Sequence, residues 1–167
     1  MKTENSSVNT IDKQTEQNIL QLVSFNIADE EFAIDILNIQ EINRISDVTR
    51  VPNTPEFVKG VINLRGKVVP VIDLRLRLGQ SATIRNSNTR IIVFEVEGKI
   101  IGFIVDKVNE VIRINSAATE PPPSIVSGID AKYITAIAKM GERLLILLDL
   151  KSIIALEPLE IISESVS

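Results

Sequence analysis

The sequence predicts an all-β fold, two small barrels packed on each other with little helix. Three observations lead there. Short runs of branched apolar residues recur between turn residues, no stretch holds a helical period for long, and one strand unit occurs twice. The repeat is visible as a single shift: Phe25 and Phe94, Ile39 and Val108, Glu41 and Glu110, Ile42 and Val111, Arg44 and Arg113, and Ile45 and Ile114 each lie 69 positions apart. A constant shift that matches charge as well as hydrophobicity is a stronger sign of duplication than apolar alternation, which any two strands share. Closing the strands into barrels also removes apolar edges that would otherwise pair with other chains.

In chain order, residues 1–16 are polar and rich in Ser, Thr and Asn, and read as a disordered tail. The folded domain is expected over 17–158, as two related units at roughly 17–80 and 88–156, with a tail at 159–167. Residues 20–27 and 31–36 form a hairpin across the polar turn Ala28-Asp29-Glu30. A helical turn near 37–40 then gives way to a strand through Ile45, and 46–55 is extended because a residue before Pro52 or Pro55 is pushed out of the α region.

Residues 61–74 make the central hairpin, with Gly66 supplying the tight turn. Pro70 cannot donate to a ladder, which predicts an edge position or a bulge there. Residues 75–80 close the first unit and 81–89 form a polar loop. The pattern restarts with 91–96 and 99–105 around Glu97-Gly98 and continues through 106–114. Pro121-Pro122-Pro123 reads as a stiff connector. A final hairpin over 136–150 repeats the central plan, with Gly141 in the place of Gly66 and Asp149 in that of Asp73, before a strand or short helix at 151–156. The sequence leaves open whether the two units exchange strands.

Composition removes several function classes. With no Cys and no His among 167 residues there is no thiolate nucleophile, disulfide, imidazole base or imidazole metal ligand. Carboxylates and lysines remain, but Gly60, Gly66, Gly79 and Gly102 have no phosphate-cradling spacing, and neither an enzyme nor a cofactor is expected. A net charge of -4, from 18 Lys and Arg against 22 Asp and Glu, opposes a general nucleic-acid role. No apolar run reaches the roughly 18 residues of a membrane span and the start has no apolar signal core, so a cytoplasmic location is expected.

Arg65, beside the turn glycine, is either a solvated tip or the partner of an acid such as Glu41, since its planar fork suits a carboxylate. Glu41 with Glu110, and Asp73 with Asp149, occupy equivalent places in different units, which predicts separation in space and a structural role. Ile39, Val108 and Val111 are core, or an apolar groove for a partner helix if they are exposed where the units meet.

Val51-Pro52-Asn53-Thr54-Pro55, Lys59-Gly60-Val61-Ile62-Asn63-Leu64-Arg65-Gly66-Lys67 and Val71-Ile72-Asp73-Leu74-Arg75 resemble the CheW family of bacterial chemotaxis coupling proteins. The likeness runs from about Asn18 to Leu156 and takes in 29–36 and 144–149. It implies two SH3-like five-stranded barrels and a non-catalytic adaptor without cofactor or metal. The implied partners are the cytoplasmic tip of methyl-accepting chemotaxis receptors and the regulatory domain of the histidine kinase CheA, at receptor arrays on the inner membrane. Ile39, Glu41 and Arg65 fall on family positions tied to receptor binding, Glu41 and Arg65 as an ion pair; Val108 and Val111 are assigned to the same face, and Gly60 to the kinase-facing end. Arg90 stands at a strand start that is commonly apolar in relatives, and no contact is carried over to it. The alternatives are a CheW-like adaptor of another motility or signalling pathway, an RNA-binding pair of SH3-like barrels resting on Arg65, Arg75, Arg77 and Arg90, and a carboxylate-dependent enzyme.

Overall fold

Strands dominate the structure, a computed structural model that describes residues 18–155. The tails expected at 1–16 and 159–167, and the outer domain limits at 17 and 158, lie outside these residues. β1 (Ile19–Ile27) and β2 (Glu30–Asp35) form the first hairpin, and a single 3-10 turn, Ile36–Asn38, leads into β3 (Ile39–Arg44). β4 (Val58–Leu64) and β5 (Lys67–Asp73) form the second hairpin and run into the short helix α1 (Leu74–Arg77). β6 (Arg90–Val96), β7 (Lys99–Val105) and β8 (Lys107–Asn115) follow.

Three two-residue strands come next: β9 (Thr119–Glu120), β10 (Ile125–Val126) and β11 (Ile129–Asp130). β12 (Ile134–Met140) and β13 (Arg143–Leu148) then close with helix α2 (Leu150–Ile154), which decides the end of the second unit in favour of helix. Both helices are set by the same cap. Asp73 accepts from the Leu76 N–H at 3.5 Å, and Asp149 accepts from the Ser152 N–H at 3.3 Å and its hydroxyl at 3.0 Å, satisfying donors that a helix start leaves orphaned.

The strands assemble into a five-stranded sheet, β3-β6-β7-β5-β4, and a six-stranded sheet, β8-β1-β2-β13-β12-β9. Each sheet takes a hairpin from the other half of the chain. β6–β7 inserts between β3 and β5, while β1–β2 inserts between β8 and β13. The insertions create the two parallel contacts, β5 with β7 and β13 with β2, in which Val71 faces Gly102 and Leu147 faces Ala33. Gly102 and Ala33 are related by the 69-residue shift, so the exchange is reciprocal and the repeat is a pseudo-twofold in space.

Burial on both faces explains the near-continuous apolar runs of the exchanged strands. One face of each sheet meets the other across a central cluster that includes Phe25, Phe32, Ile34, Ile72, Phe94, Phe103 and Ile146. The opposite faces fill the two barrels, Leu22, Ala33, Ile112 and Leu145 in one and Ile62, Val71, Ile91 and Val93 in the other.

Two expectations need correction. β5 is not an edge strand, and the bulge lies at Val58/Gly60, away from Pro70. Pro70 is tolerated because the β7 ladder begins only at Val71, and because Val61, opposite Pro70, turns both backbone groups to Thr49 at 2.9 and 2.8 Å. In the hairpin turns, Leu64 pairs with Lys67 and Met140 with Arg143, which sets Gly141 against Arg65 and leaves Glu142 against Gly66. Arg65 has φ of 51°, a left-handed conformation that Gly141 adopts in the other copy without strain.

Of the glycines among the described residues, Gly60 has the closest backbone neighbour. It is buried with φ of 140°, and a Cβ there would lie 1.9 Å from the Thr49 carbonyl oxygen. Gly60→Ala is expected to cost about 3 kcal/mol, because backbone on both sides must move. A denaturant midpoint equal to that of the unsubstituted protein would refute the close approach.

Candidate functional site

β3 and β4 are the two outer strands of the five-stranded sheet, so a contact between them is a seam that closes the barrel. Two contacts make that seam. One is the Thr49–Val61 bridge. The other is the ion pair between Glu41 on β3 and Arg65 at the tip of the β4–β5 hairpin, with Arg65 Nη1 donating to Oε2 at 3.3 Å and Nη2 donating to Oε1. Of the two sequence readings of Arg65, the structure takes the paired one.

The pair has geometry on its side and exposure against it. The Arg65 side chain is 73% exposed and that of Glu41 is 21% exposed. The hydrogen bond from Arg65 holds the Glu41 carboxyl below its ordinary range, and Glu41 in turn raises Arg65. Exposed pairs contribute little to folding, so this one does more to fix the direction of a guanidinium fork than to stabilise the barrel.

Ile39 begins the same strand. It sits opposite Phe94, half-buried against the central cluster, one bulge away from Glu41. Val108 is its counterpart on β8, opposite Phe25 and packed on the same cluster. Val111, on the outer strand of the six-stranded sheet, is 54% exposed. The structure therefore gathers Ile39, Glu41 and Arg65 on one barrel and Val108 and Val111 on the other, with Ile39 and Val108 both bordering the inter-sheet core. Gly60 stands apart from both groups in kind. It has no side chain to present, while Lys59 beside it lines a cleft of about 930 Å³ formed with residues 46–48 and 50–56, Val58 and Arg85.

Sequence reasoning missed a third polar group. Arg143, at the start of β13, donates to Glu31 through Nε at 3.2 Å and through Nη2, and lies 3.1 Å from Glu110 on β8. Ser24 donates to Glu31 from the neighbouring strand, and Asn109 donates to Asn26 at 2.6 Å. The 69-residue match of Glu41 to Glu110 was the available signal, but its cation comes from a strand start rather than a turn tip.

The other three arginines on which the RNA reading rests are engaged within the fold. Arg75 pairs with Asp106 at 3.1 Å and donates to the Ser81 carbonyl. Arg77 lies over the rings of Phe57 and Tyr133 at 5.0 and 4.6 Å. Arg90 donates to the Ser87 and Thr89 carbonyls. Nothing in these contacts favours the RNA reading. Among the described residues no group of three Asp or Glu is arranged to hold a metal ion, and no helix is long and apolar enough to cross a membrane.

The CheW-like domain family model matches residues 21–157. The chain belongs to the CheW family. Chemotaxis protein CheW of Helicobacter pylori is 41% identical over 143 residues, covering 85% of this chain and 86% of that protein. Chemotaxis protein CheW of Klebsiella aerogenes is 37% identical over 142 residues with the same coverage of each. The crystal structure of the scaffolding protein TtCheW from Thermoanaerobacter tengcongensis superposes with a TM-score of 0.77 at 38% identity, covering 83% of this chain and 90% of that one. The two-sheet, two-barrel architecture is thus the family fold, and the resemblance read from the central hairpin holds across the described chain.

Two outcomes are expected from these ion pairs. Arg65→Asn suits the left-handed turn position better than arginine and removes only an exposed pair, so the melting temperature should stay within a few degrees of the parent. A drop of about 10 °C would mean that the seam depends on this ion pair. The second outcome concerns Glu31, whose carboxyl is lowered chiefly by the Arg143 hydrogen bond. A depressed carboxyl contributes stability that is complete above its unfolded value and is lost as pH falls through the folded one. The stability gap between the parent and Glu31→Gln should therefore be open near pH 7 and shrink below about pH 4. A pH-independent gap in urea midpoints would remove the ionic explanation.

Proposed function

We propose that the chain couples chemotaxis receptors to the histidine kinase CheA, with the receptor tip docking as an amphipathic helix along the groove where the two barrels meet. A scaffold role in chemotaxis goes with membership of the family, and the structure supplies a surface suited to it. The observation that carries the receptor assignment is the Glu41–Arg65 pair, fixed at a barrel seam on the strand that the half-buried Ile39 begins. A pre-oriented guanidinium suits a partner that presents a hydrogen-bond acceptor, and Ile39 on the same strand suits one that also presents an apolar anchor.

Val108 and Val111 extend the same face onto the second barrel. Gly60 contributes to the kinase-facing end through the backbone path it permits past Thr49, and Lys59 brings a charge to that end. Nothing is turned over in this mechanism. Receptor state biases the kinase because both are held by one rigid two-barrel body, which transmits differences in affinity between them. Recruitment to receptor arrays at the inner membrane follows from receptor binding, with no membrane insertion by the described residues.

Separate titrations with a receptor-tip fragment and with the isolated kinase regulatory domain test this reading. Ile39→Asp and Arg65→Ala should each weaken receptor binding about tenfold or more and leave kinase binding within about twofold. Equal loss of both partners would point to a general defect, and absence of binding by the parent would end the assignment.

A further inference from the structure

The pseudo-twofold also relates two clefts, one beside each capped helix, and there the copies differ. In the first, Asp73, Arg75, Thr89 and Ile104 border a cleft of about 90 Å³ whose wall includes the chain that follows α1, from Thr83 to Asn86. Arg75 fastens that chain. It donates to the Ser81 carbonyl at 2.8 Å while paired with Asp106 at 3.1 Å.

The second cleft is bordered by residues in the same places. Val71 lies against Gly102 and Leu147 against Ala33, so Asp149 and Lys151 stand where Asp73 and Arg75 do, and the 69-residue shift sets Leu20 and Asp35 where Thr89 and Ile104 are. All four line a cleft of about 300 Å³, with Leu22 and Leu147 from the core of the second barrel. Its described lining comes from strands, the Ile36–Asn38 turn and the capped start of α2. The counterpart of the 83–86 wall falls beyond Ala155, outside the described residues.

The residues due there match the cleft. Thr83, Ile84, Arg85 and Asn86 stand ten to thirteen residues after Asp73; Leu159, Glu160, Ile161 and Ile162 stand ten to thirteen after Asp149. The first set is polar but for Ile84 and walls a polar cleft, whereas the second is apolar but for Glu160 and falls due at an apolar one. Glu157 takes the place of Ser81, opposite in charge to Lys151 in the place of Arg75, and Lys151 otherwise meets the exposed Glu97 at 3.1 Å. Leu37, in the place of Asp106, is 87% exposed. Reach is ample, because four residues beyond Ala155 span up to about 14 Å.

We infer that residues 156–162 of this chain fold back as a strap over the cleft beside α2, with Leu159 and Ile161 set against Leu20, Leu22 and Leu147. In an extended segment these two alternate residues share one face, and a tether this short holds them at high effective concentration. The strap does not depend on the receptor reading.

The full chain has no cysteine, so pairs can be introduced cleanly. Asn38→Cys, in the cleft lining, is combined with Ile161→Cys; the control combines Ile161→Cys with Lys132→Cys, which lies beside α2 but outside the lining. At low micromolar concentration the first pair should form a disulfide within one chain about tenfold or more faster than the control. A rate no higher than the control's overturns the strap, and so does a disulfide between chains, which would give the cleft to a second copy. In a separate variant, Leu159→Asp with Ile161→Asp should raise deuterium uptake at Leu20 and Leu22 while circular dichroism stays that of the parent. Uptake equal to the parent's also overturns it.

Discussion

The apolar cluster between the two sheets is the constraint on which the rest of the molecule depends. It draws Phe25, Phe32 and Ile34 from the first hairpin, Phe94 and Phe103 from the third, and Ile72 and Ile146 from the other two. Each of these strands also sends its alternate side chains into a barrel, so no strand has a face left for solvent along its central residues. The reciprocal exchange follows from this. A hairpin that is apolar on both faces cannot sit at the surface of its own unit, and the place that covers both faces is between the neighbouring unit's strands and the shared core.

That arrangement concentrates apolar packing at the centre and leaves the polar side-chain groups at the seams. Barrels close where their outer strands meet, and there the chain must satisfy backbone groups, turn corners and exclude other strands. The bulges on β3 and β8, the Thr49–Val61 bridge and the arginine–carboxylate groups all fall in these regions. Their contribution to stability is modest beside the core, where losing one phenylalanine ring costs about 3–5 kcal/mol. A scaffold of this family can carry charged contacts at its seams without risking the packed body behind them.

Arg77 shows how the two halves are tied to each other. Its guanidinium lies between Phe57, which precedes β4, and Tyr133, which precedes β12, and donates to the Tyr133 hydroxyl at 2.6 Å and the Ile153 carbonyl at 3.1 Å. Phe57 and Tyr133 are themselves equivalent, since the carbonyl of each accepts from the helix-capping aspartate that follows, Asp73 or Asp149. One arginine thus bridges a pair of matched aromatics across the pseudo-twofold, an asymmetric tie between symmetric parts.

The sequence by itself determined the strand content, the hairpins, the repeat and the family, because each is written in local pattern: alternation, turn glycines, a constant shift and a long run of family residues around Arg65. It also brought Glu41 and Arg65 together as one of two readings. Tertiary structure decided the rest. Pro70 is legible as a missing donor, but its neighbours are not, and β5 proved to be an inner strand whose proline falls before the ladder begins. Residue type aligns Gly141 with Gly66, whereas strand register sets it against Arg65. Arg143 carries no local signal, since its two carboxylates lie on strands that the hairpin exchange alone brings beside it. Local pattern records which face of a strand is apolar; which other strand covers that face is a competition among all the apolar faces at once, and that is settled only when the whole core packs.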